Sequence, residues 1–229
     1  MDAAITTSGT LSVSDEDTRD EVTVSVTGAV VSGGTFAGTV PLNSAALAAM
    51  MQLAAGTAAE SGFGDTVVLG ADGTGSDFTW AFTSGSSGDA AFDFLAAGET
   101  LVVTYTLTAD DLSETDSATD TQTVTITITG TNDSPVASAA DGVTVAEDLD
   151  AATVIATASG TDVDLSDVLS YSISAGNDAG LFEIDATTGD ISLVAGQSLD
   201  AETDIEHVLT VTVSDGNGGT DTQEITVNV

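Results

Sequence analysis

Apolar and hydroxylated residues alternate along much of this chain, and no other feature constrains its fold as strongly. Residues 22–26 read Val-Thr-Val-Ser-Val, and the same pattern recurs at 169–173, 209–213 and 225–227. A period of two places the apolar side chains on one face of a strand and Thr or Ser on the other. Such strands are typical of antiparallel sheets with one buried face, so we expect an all-β chain built from packed sheets.

One segment departs from this alternation. Residues 43–55 contain a run of Ala, Leu and Met, preceded by Asn43 and Ser44 and followed by Gly56. Asn or Ser favours the start of a helix, and Gly favours its end. The sequence therefore predicts a short helix over 43–55, inserted between strands.

The chain is strongly acidic. It has 37 Asp and Glu residues against one basic residue, Arg19, which gives a formal net charge of −36. This balance excludes nucleic acid as a partner, because nothing neutralises the phosphates, and it disfavours anionic membrane surfaces. It suits cations. General acidity can also be a solubility adaptation to high salt, which accounts for scattered acids but not for acids grouped at turns.

The residue inventory also argues against catalysis. The chain has no cysteine, no lysine and one histidine, so no nucleophile–base pair is apparent. Paired carboxylates can hydrolyse glycosides, but aromatic residues, which usually line sugar sites, make up only 4% of the chain. We expect no enzymatic activity. No apolar run is long enough to span a bilayer, so we expect no membrane insertion.

An internal repeat divides the chain. Thr-Asp-Thr-Gln at 119–122 precedes a strand-like run, and the same four residues at 220–223 precede another. Two copies of one terminal hairpin predict two domains of one kind, which we place at 1–133 and 134–229. The segment Thr-Gly-Thr-Asn-Asp-Ser-Pro, residues 129–135, is then the junction.

Acidic residues cluster where predicted strands begin or end. Asp and Asn are favourable turn residues, so one such cluster requires no ligand. Clusters at corresponding strand ends favour a cation instead, because two carboxylates 4 Å apart repel by about 1 kcal/mol even in bulk water. Ca²⁺ takes about 6–8 oxygens from carboxylates, carbonyls and amides. Asn132, Asp133, Asp162, Asp164 and Asp215 offer donors of this kind.

Motifs along the chain resemble known families. Residues 10–36 and 78–135 resemble the start and the C-terminal half of a VCBS repeat, and residues 37–77 match it least. Residues 136–229 resemble a bacterial cadherin-like domain, with DVDLSDVLSYSI, GLFEIDATTGDISL and VTVSDGNGGTDT in order. This resemblance implies two tandem immunoglobulin/cadherin-like Greek-key β-sandwiches, with calcium at domain junctions.

The resemblance also implies a ligand set. Asn132, Asp133, Asp162, Asp164 and Asp215 would face the junction, and Glu99 would join them from the first domain. Two further sets would face neighbouring repeats beyond these two domains. The set at the far end of the second domain is Glu147, Asp200 and Glu202, and the set at the start of the first is Asp15, Asp17 and Asp111.

The function implied by the resemblance is that of an extender or stalk segment in a large bacterial cell-surface adhesin. Such a protein is secreted, typically by type I secretion, and calcium stiffens its domain junctions. The expected partners are neighbouring repeats of the same chain, with host, glycan or abiotic surfaces reached through the parent protein, and the segment itself is expected to be a monomer. The alternative is a carbohydrate- or cell-surface-binding module that uses residues 56–76 or the helix.

Overall fold

The computed structural model describes residues 4–14, 21–56, 66–69, 76–85, 91–112, 118–138 and 142–229. The chain divides into two compact units. Met1–Phe92 and Glu99–Gly130 form the first unit, whereas Asp93–Gly98 and Thr131–Val229 form the second. Both units are built from β-sheets, and the first contains one short helix, so the predicted fold class is confirmed. None of the helices among the described residues has the length and apolar character needed to cross a membrane.

The first unit consists of two antiparallel sheets. One sheet has the strand order β1-β5-β3, and the other has the order β4-β2-β6-β7. In chain order, the elements are β1 Thr6–Val13, β2 Val22–Gly34, α1 Ser44–Ala48, β3 Met51–Ala55, β4 Thr66–Leu69, β5 Ser76–Thr83, β6 Thr100–Asp111 and β7 Thr119–Thr129. The inward residues of β6 show why the alternation matters, since Leu101, Val103, Tyr105 and Leu107 are all buried.

The helix is shorter than the sequence predicts. It covers only Ser44–Ala48, and the Asn43 side chain caps it by accepting a hydrogen bond from the Ala46 N–H at 2.9 Å. Residues 51–55 of the predicted helix instead form strand β3, which pairs with β5. Met51 and Leu53 alternate inward there and are each 1% exposed, so tertiary burial outweighs the helix propensity of Ala, Leu and Met.

A buried tyrosine joins this helix to the larger sheet. The Tyr105 hydroxyl donates to the backbone carbonyl of Leu47 at 2.9 Å. Its ring packs edge-on against Phe82, with ring centroids 6.2 Å apart. Burial raises the pKa of the hydroxyl, so it stays protonated and keeps donating.

The second unit has three sheets. A four-stranded sheet has the order β12-β15-β16-β9, a three-stranded sheet has the order β10-β14-β13, and β11 pairs with β8. The strands are β8 Val136–Ala137, β9 Val143–Thr144, β10 Ala156–Thr157, β11 Gly160–Thr161, β12 Ser170–Ala175, β13 Phe182–Ile184, β14 Asp190–Leu193, β15 Glu206–Ser214 and β16 Thr220–Asn228. Strand β9 runs parallel to β16, whereas the other pairs are antiparallel.

The core of the second unit lies between its larger sheets. Leu209 and Val211 on β15 and Ile225 and Val227 on β16 are all 0% exposed, as the alternation predicts. They belong to one cluster with Phe182, Ile191 and Leu193 of the opposite sheet. Because the sheets are fixed by this core, the turns at their ends hold their polar side chains in defined positions.

Candidate metal centre

Polar residues from three separate turns meet in the second unit. Asn132 and Asp133 lie in the segment before β8, Asp162 and Asp164 follow β11, and Asp215 follows β15. The Asp133 backbone N–H donates to Asp164 Oδ2, and the Asn132 side-chain amide donates to Asp215 Oδ2, both at 2.9 Å. The structure therefore brings these five predicted residues into one hydrogen-bonded group.

Asp164 is the most buried carboxylate of this group, with only 2% of its surface exposed. Its pKa is raised to about 6, chiefly by burial; the hydrogen bond from the Asp133 N–H acts to lower it, and the negative charges of Asp162, Asp167 and Asp133 act to raise it. A carboxylate in this position is unstable as an anion unless a positive charge lies close to it.

Asp215 lies at the start of a glycine-rich hairpin and is 4% exposed. Its burial acts to raise its pKa, but the hydrogen bond from Asn132 and the backbone N–H groups of Asn217, Gly219 and Gly218 outweigh this and lower the pKa. The three N–H groups donate to Oδ1 at 2.7–3.0 Å. A side chain at Gly219 would collide with Asp215 Oδ2 and with Ser134, so this cradle requires glycine.

Several oxygens of this group lack a donor. Asn132 Oδ1, Asp162 Oδ2 and Asp164 Oδ1 are buried, and no hydrogen bond among the described residues satisfies them. Buried polar atoms are almost always hydrogen-bonded, and these atoms can only accept. A hard cation satisfies such oxygens, so the donor chemistry of the group fits Ca²⁺.

Sequence reasoning missed one carboxylate, Asp167. Its carboxylate lies close enough to those of Asp162 and Asp215 that one oxygen from each falls within 4.8 Å of the others. The Asn217 side-chain amide donates to both Asp167 oxygens, at 2.9 and 3.0 Å. The available sequence signal was that Asp167 is the third acid of the run Asp162-Val-Asp164-Leu-Ser-Asp167. It comes close to Asp215 only because the turn Asp164–Asp167 folds the chain back.

The remaining predicted ligands belong to other segments of the chain. Glu99 precedes β6 in the first unit, where its backbone carbonyl accepts from the Gly130 N–H at 2.8 Å, and Asp111 ends β6. Asp15 and Asp17 lie outside the described residues. In the second unit Glu147, Asp200 and Glu202 are exposed in turns. The Asp200 carboxylate accepts hydrogen bonds from Thr203 and Glu202, chiefly from the Thr203 hydroxyl, which lowers its pKa.

The raised pKa of Asp164 predicts a pH dependence of stability without a cation. The folded-state pKa of about 6 lies above the ordinary value of 3.8, so the native state holds this proton more tightly. The free energy of unfolding should therefore fall as pH rises from about 4 to 6, by about 3 kcal/mol at most from this group. Asp164→Asn should remove that part of the dependence in urea titrations with chelator. An equal pH dependence of stability in wild type and variant would show that Asp164 is not its source. Asp178→Asn, at an exposed residue, is the control.

Comparisons with known proteins agree with this fold. Residues 142–229 match the Cadherin domain model. Protocadherin Fat 1 of Homo sapiens is 36% identical over 90 residues, and the protocadherin-like wing polarity protein stan of Drosophila melanogaster is 34% identical over 85 residues. These segments are 38% and 37% of this chain but only 2% of each relative.

Solved structures show the same fold at low identity. The protocadherin gamma C5 EC1-3 structure matches with a TM-score of 0.51 and 16% identity, over 87% of this chain and 56% of that one. The PcdhgB3 EC1-4 structure matches with a TM-score of 0.50 and 18% identity, over 78% and 38%. The cadherin-like part of the expected resemblance is thus confirmed as a β-sandwich fold. Cadherin domains are a non-enzymatic family of adhesion and structural modules, in line with the expectation of no enzymatic activity.

Proposed function

We propose that this chain is a calcium-binding structural segment of an extracellular adhesion protein. The observation that carries the proposal is Asp164, a carboxylate that is 2% exposed and has an oxygen without a donor. Asn132, Asp162 and Asp215 lie in the same group and supply further oxygens. Together with Asp133 and Asp167, they form the proposed site.

The donor set favours Ca²⁺ over other metals. All of these ligands are oxygens, and the chain has no cysteine and a single histidine, which argues against zinc and other metals that prefer sulfur or nitrogen. Mg²⁺ demands octahedral geometry and keeps several waters, whereas Ca²⁺ accepts a larger and less regular set of oxygens. Extracellular calcium modules typically have Kd values of roughly 10⁻⁴–10⁻³ M, so millimolar calcium outside a cell would load the site.

The ion would act on the connection between the units. Gly130 is the last residue of the first unit, and Asn132 and Asp133 follow it almost directly. An ion held by Asn132 and Asp133 on one side and by Asp162, Asp164 and Asp215 on the other would fix the connecting peptide to the second unit. This is the action expected of an extender segment, and Glu99 is the proposed contribution from the first unit.

The proposal also covers the kind of adhesion protein to which the segment belongs. The VCBS-like residues 10–36 and 78–135 and the net charge of −36 support an origin in a large RTX-type bacterial adhesin exported by type I secretion. In such an array, neighbouring repeats would complete the two outer sites. Those sites would use Glu147, Asp200 and Glu202 at one end and Asp15, Asp17 and Asp111 at the other.

A direct binding role for glycans or cell surfaces receives no comparable support. Much of the region 56–76 lies outside the described residues, and the only Trp of the chain, Trp80, is half-buried over Gly9. The helix is only five residues long and buries Leu47. The extender function is therefore the one that the site supports best.

Calcium titration by calorimetry tests the proposed site and the role of Asp167. Wild type should bind Ca²⁺, and Asp167→Asn should weaken binding by about tenfold, since losing one ligand charge costs about 1.4 kcal/mol or more. The exposed residue Asp178 gives a matched control, because Asp178→Asn makes the same chemical change away from the site. No binding by wild type would refute the site. Unchanged affinity in Asp167→Asn would remove only Asp167 from it.

A further inference from the structure

The two units end in equivalent hairpins, but one hairpin supports an additional strand. The repeat aligns Asp120 and Gln122 of β7 with Asp221 and Gln223 of β16. In the second unit, Asp221 Oδ2 accepts from the backbone N–H of Ala137 in β8, at 2.9 Å. Gln223 is 6% exposed, and its amide donates to the Ser159 carbonyl at 3.3 Å. Asp221 thus holds β8, which begins the second sandwich, and Gln223 holds the residue before β11, the strand that pairs with β8.

The equivalent place in the first unit is a groove. Asp120 Oδ1 accepts from the next backbone N–H at 2.8 Å, just as Asp221 Oδ1 does, so the local backbone is the same. Asp120 and Gln122, however, are exposed, and they line a cavity of about 370 Å³ between β1 and the β6–β7 hairpin. In the described part of the first unit, β7 pairs only with β6, and no strand covers its other edge.

Farther along β7, the inward residues are slightly less buried than their equivalents in β16, where β9 pairs with β16 at Val227. Val124 and Ile126 of β7 are 8% and 6% exposed, whereas their equivalents Ile225 and Val227 of β16 are each 0% exposed. The groove itself is largely apolar. Its apolar lining consists of Leu11, Val13, Val24, Phe78, Leu107 and Ala109. An adjoining cavity of about 270 Å³ continues the groove past Asp111.

We propose that this groove binds an extended, uncharged strand of the kind formed by Ser134–Ala137, supplied by another repeat. The strand would donate a backbone N–H to Asp120 and cover Gln122, just as β8 donates to Asp221 in the second unit while pairing with β11. This inference is independent of calcium and goes beyond the proposed function, because it assigns a second way for repeats to join.

The negative charge of the groove favours an uncharged strand as its occupant. The charged side chains among the described lining residues are carboxylates, namely Asp120 and Asp111, and no basic residue is among them. Residues 134–140 carry no charge, so they enter without repulsion. A second copy that paired its own β7 with this edge would bring two Asp120 side chains and two chains of charge −36 together, which disfavours a symmetric dimer.

A synthetic peptide with the sequence of residues 134–140 tests the proposal on the full chain. In ¹⁵N-resolved NMR titrations, the peptide should shift the backbone amides of residues 118–123, and a scrambled peptide of the same composition should not. Asp120→Ala should raise the Kd by about tenfold or more, because it removes a charged acceptor. Ala109→Glu, which adds a charge inside the groove, should abolish the shifts.

The remaining outcomes count against the proposal. No shift in wild type, shifts confined to residues 220–223, or equal shifts in Asp120→Ala would overturn it. A concentration-dependent dimer in light scattering that Asp120→Ala abolishes would assign the groove to a second copy instead. Asp178→Asn serves as the charge control, and circular dichroism of each variant separates loss of binding from loss of fold.

Discussion

Saturating calcium is expected to raise the unfolding temperature of the second unit by about 10–20 °C over the value in chelator. A ligand at about 100 times its Kd stabilises the folded state by roughly 2.7 kcal/mol per site. For a domain of roughly 100 residues, each kcal/mol shifts the unfolding temperature by about 4–8 °C. The effect should be large here because the ion also neutralises Asp164, whose buried carboxylate destabilises the ion-free state.

Differential scanning calorimetry in calcium and in chelator measures this shift. Asp133→Ala combined with Asp164→Ala should remove most of it, and Asp178→Asn should leave it intact. In chelator, Asp164→Asn alone should be at least as stable as wild type at pH 7, since it removes an unfavourable buried charge. A double variant that keeps the full calcium shift would show that the ion binds elsewhere.

Calcium is also expected to change the solution scattering of the two-unit chain. If the ion fixes the peptide that contains Asn132 and Asp133, the relative placement of the two units should vary less in calcium than in chelator. Without the ion, the carboxylates at the site repel one another, with little screening between charges closer than about 8 Å at physiological salt. Small-angle X-ray scattering in both conditions reports this difference directly.

Controls separate stiffening from folding in that experiment. The double variant Asp133→Ala with Asp164→Ala should give the chelator-type curve in both conditions, while circular dichroism shows that both units remain folded. Identical wild-type curves with and without calcium would contradict the extender function, even if calorimetry shows that calcium binds.

The strands could be predicted from the sequence because their cause is local. Alternating Val, Ile and Leu with Thr and Ser places one face inward wherever a second sheet is available, as at Leu209 and Val211. The helix boundary could not be predicted in this way. Met51–Ala55 suits a helix by composition, and only pairing with β5 makes it a strand. A local sequence pattern does not reveal which distant strand a segment will pair with.

The candidate site, too, could be predicted from the sequence only in part. Asn132, Asp133, Asp162, Asp164 and Asp215 follow from a family pattern of linker and turn acids, and the structure places them together. Asp167 does not, because its approach to Asp215 depends on the turn after Asp164 and on Asn217 in a distant hairpin. The sequence does not reveal the groove of the first unit. It is recognised only when the structural surroundings of Asp120 are compared with those of Asp221.

Anomalous diffraction from crystals grown in calcium chloride shows directly whether an ion binds at this site. We expect an anomalous peak in the second unit, with oxygens of Asn132, Asp162, Asp164 and Asp215 at about 2.3–2.6 Å from it. Asn132 Oδ1 and Asp164 Oδ1, which lack hydrogen-bond donors among the described residues, should be among these ligands. A water molecule or no density at that position in saturating calcium would refute the calcium site.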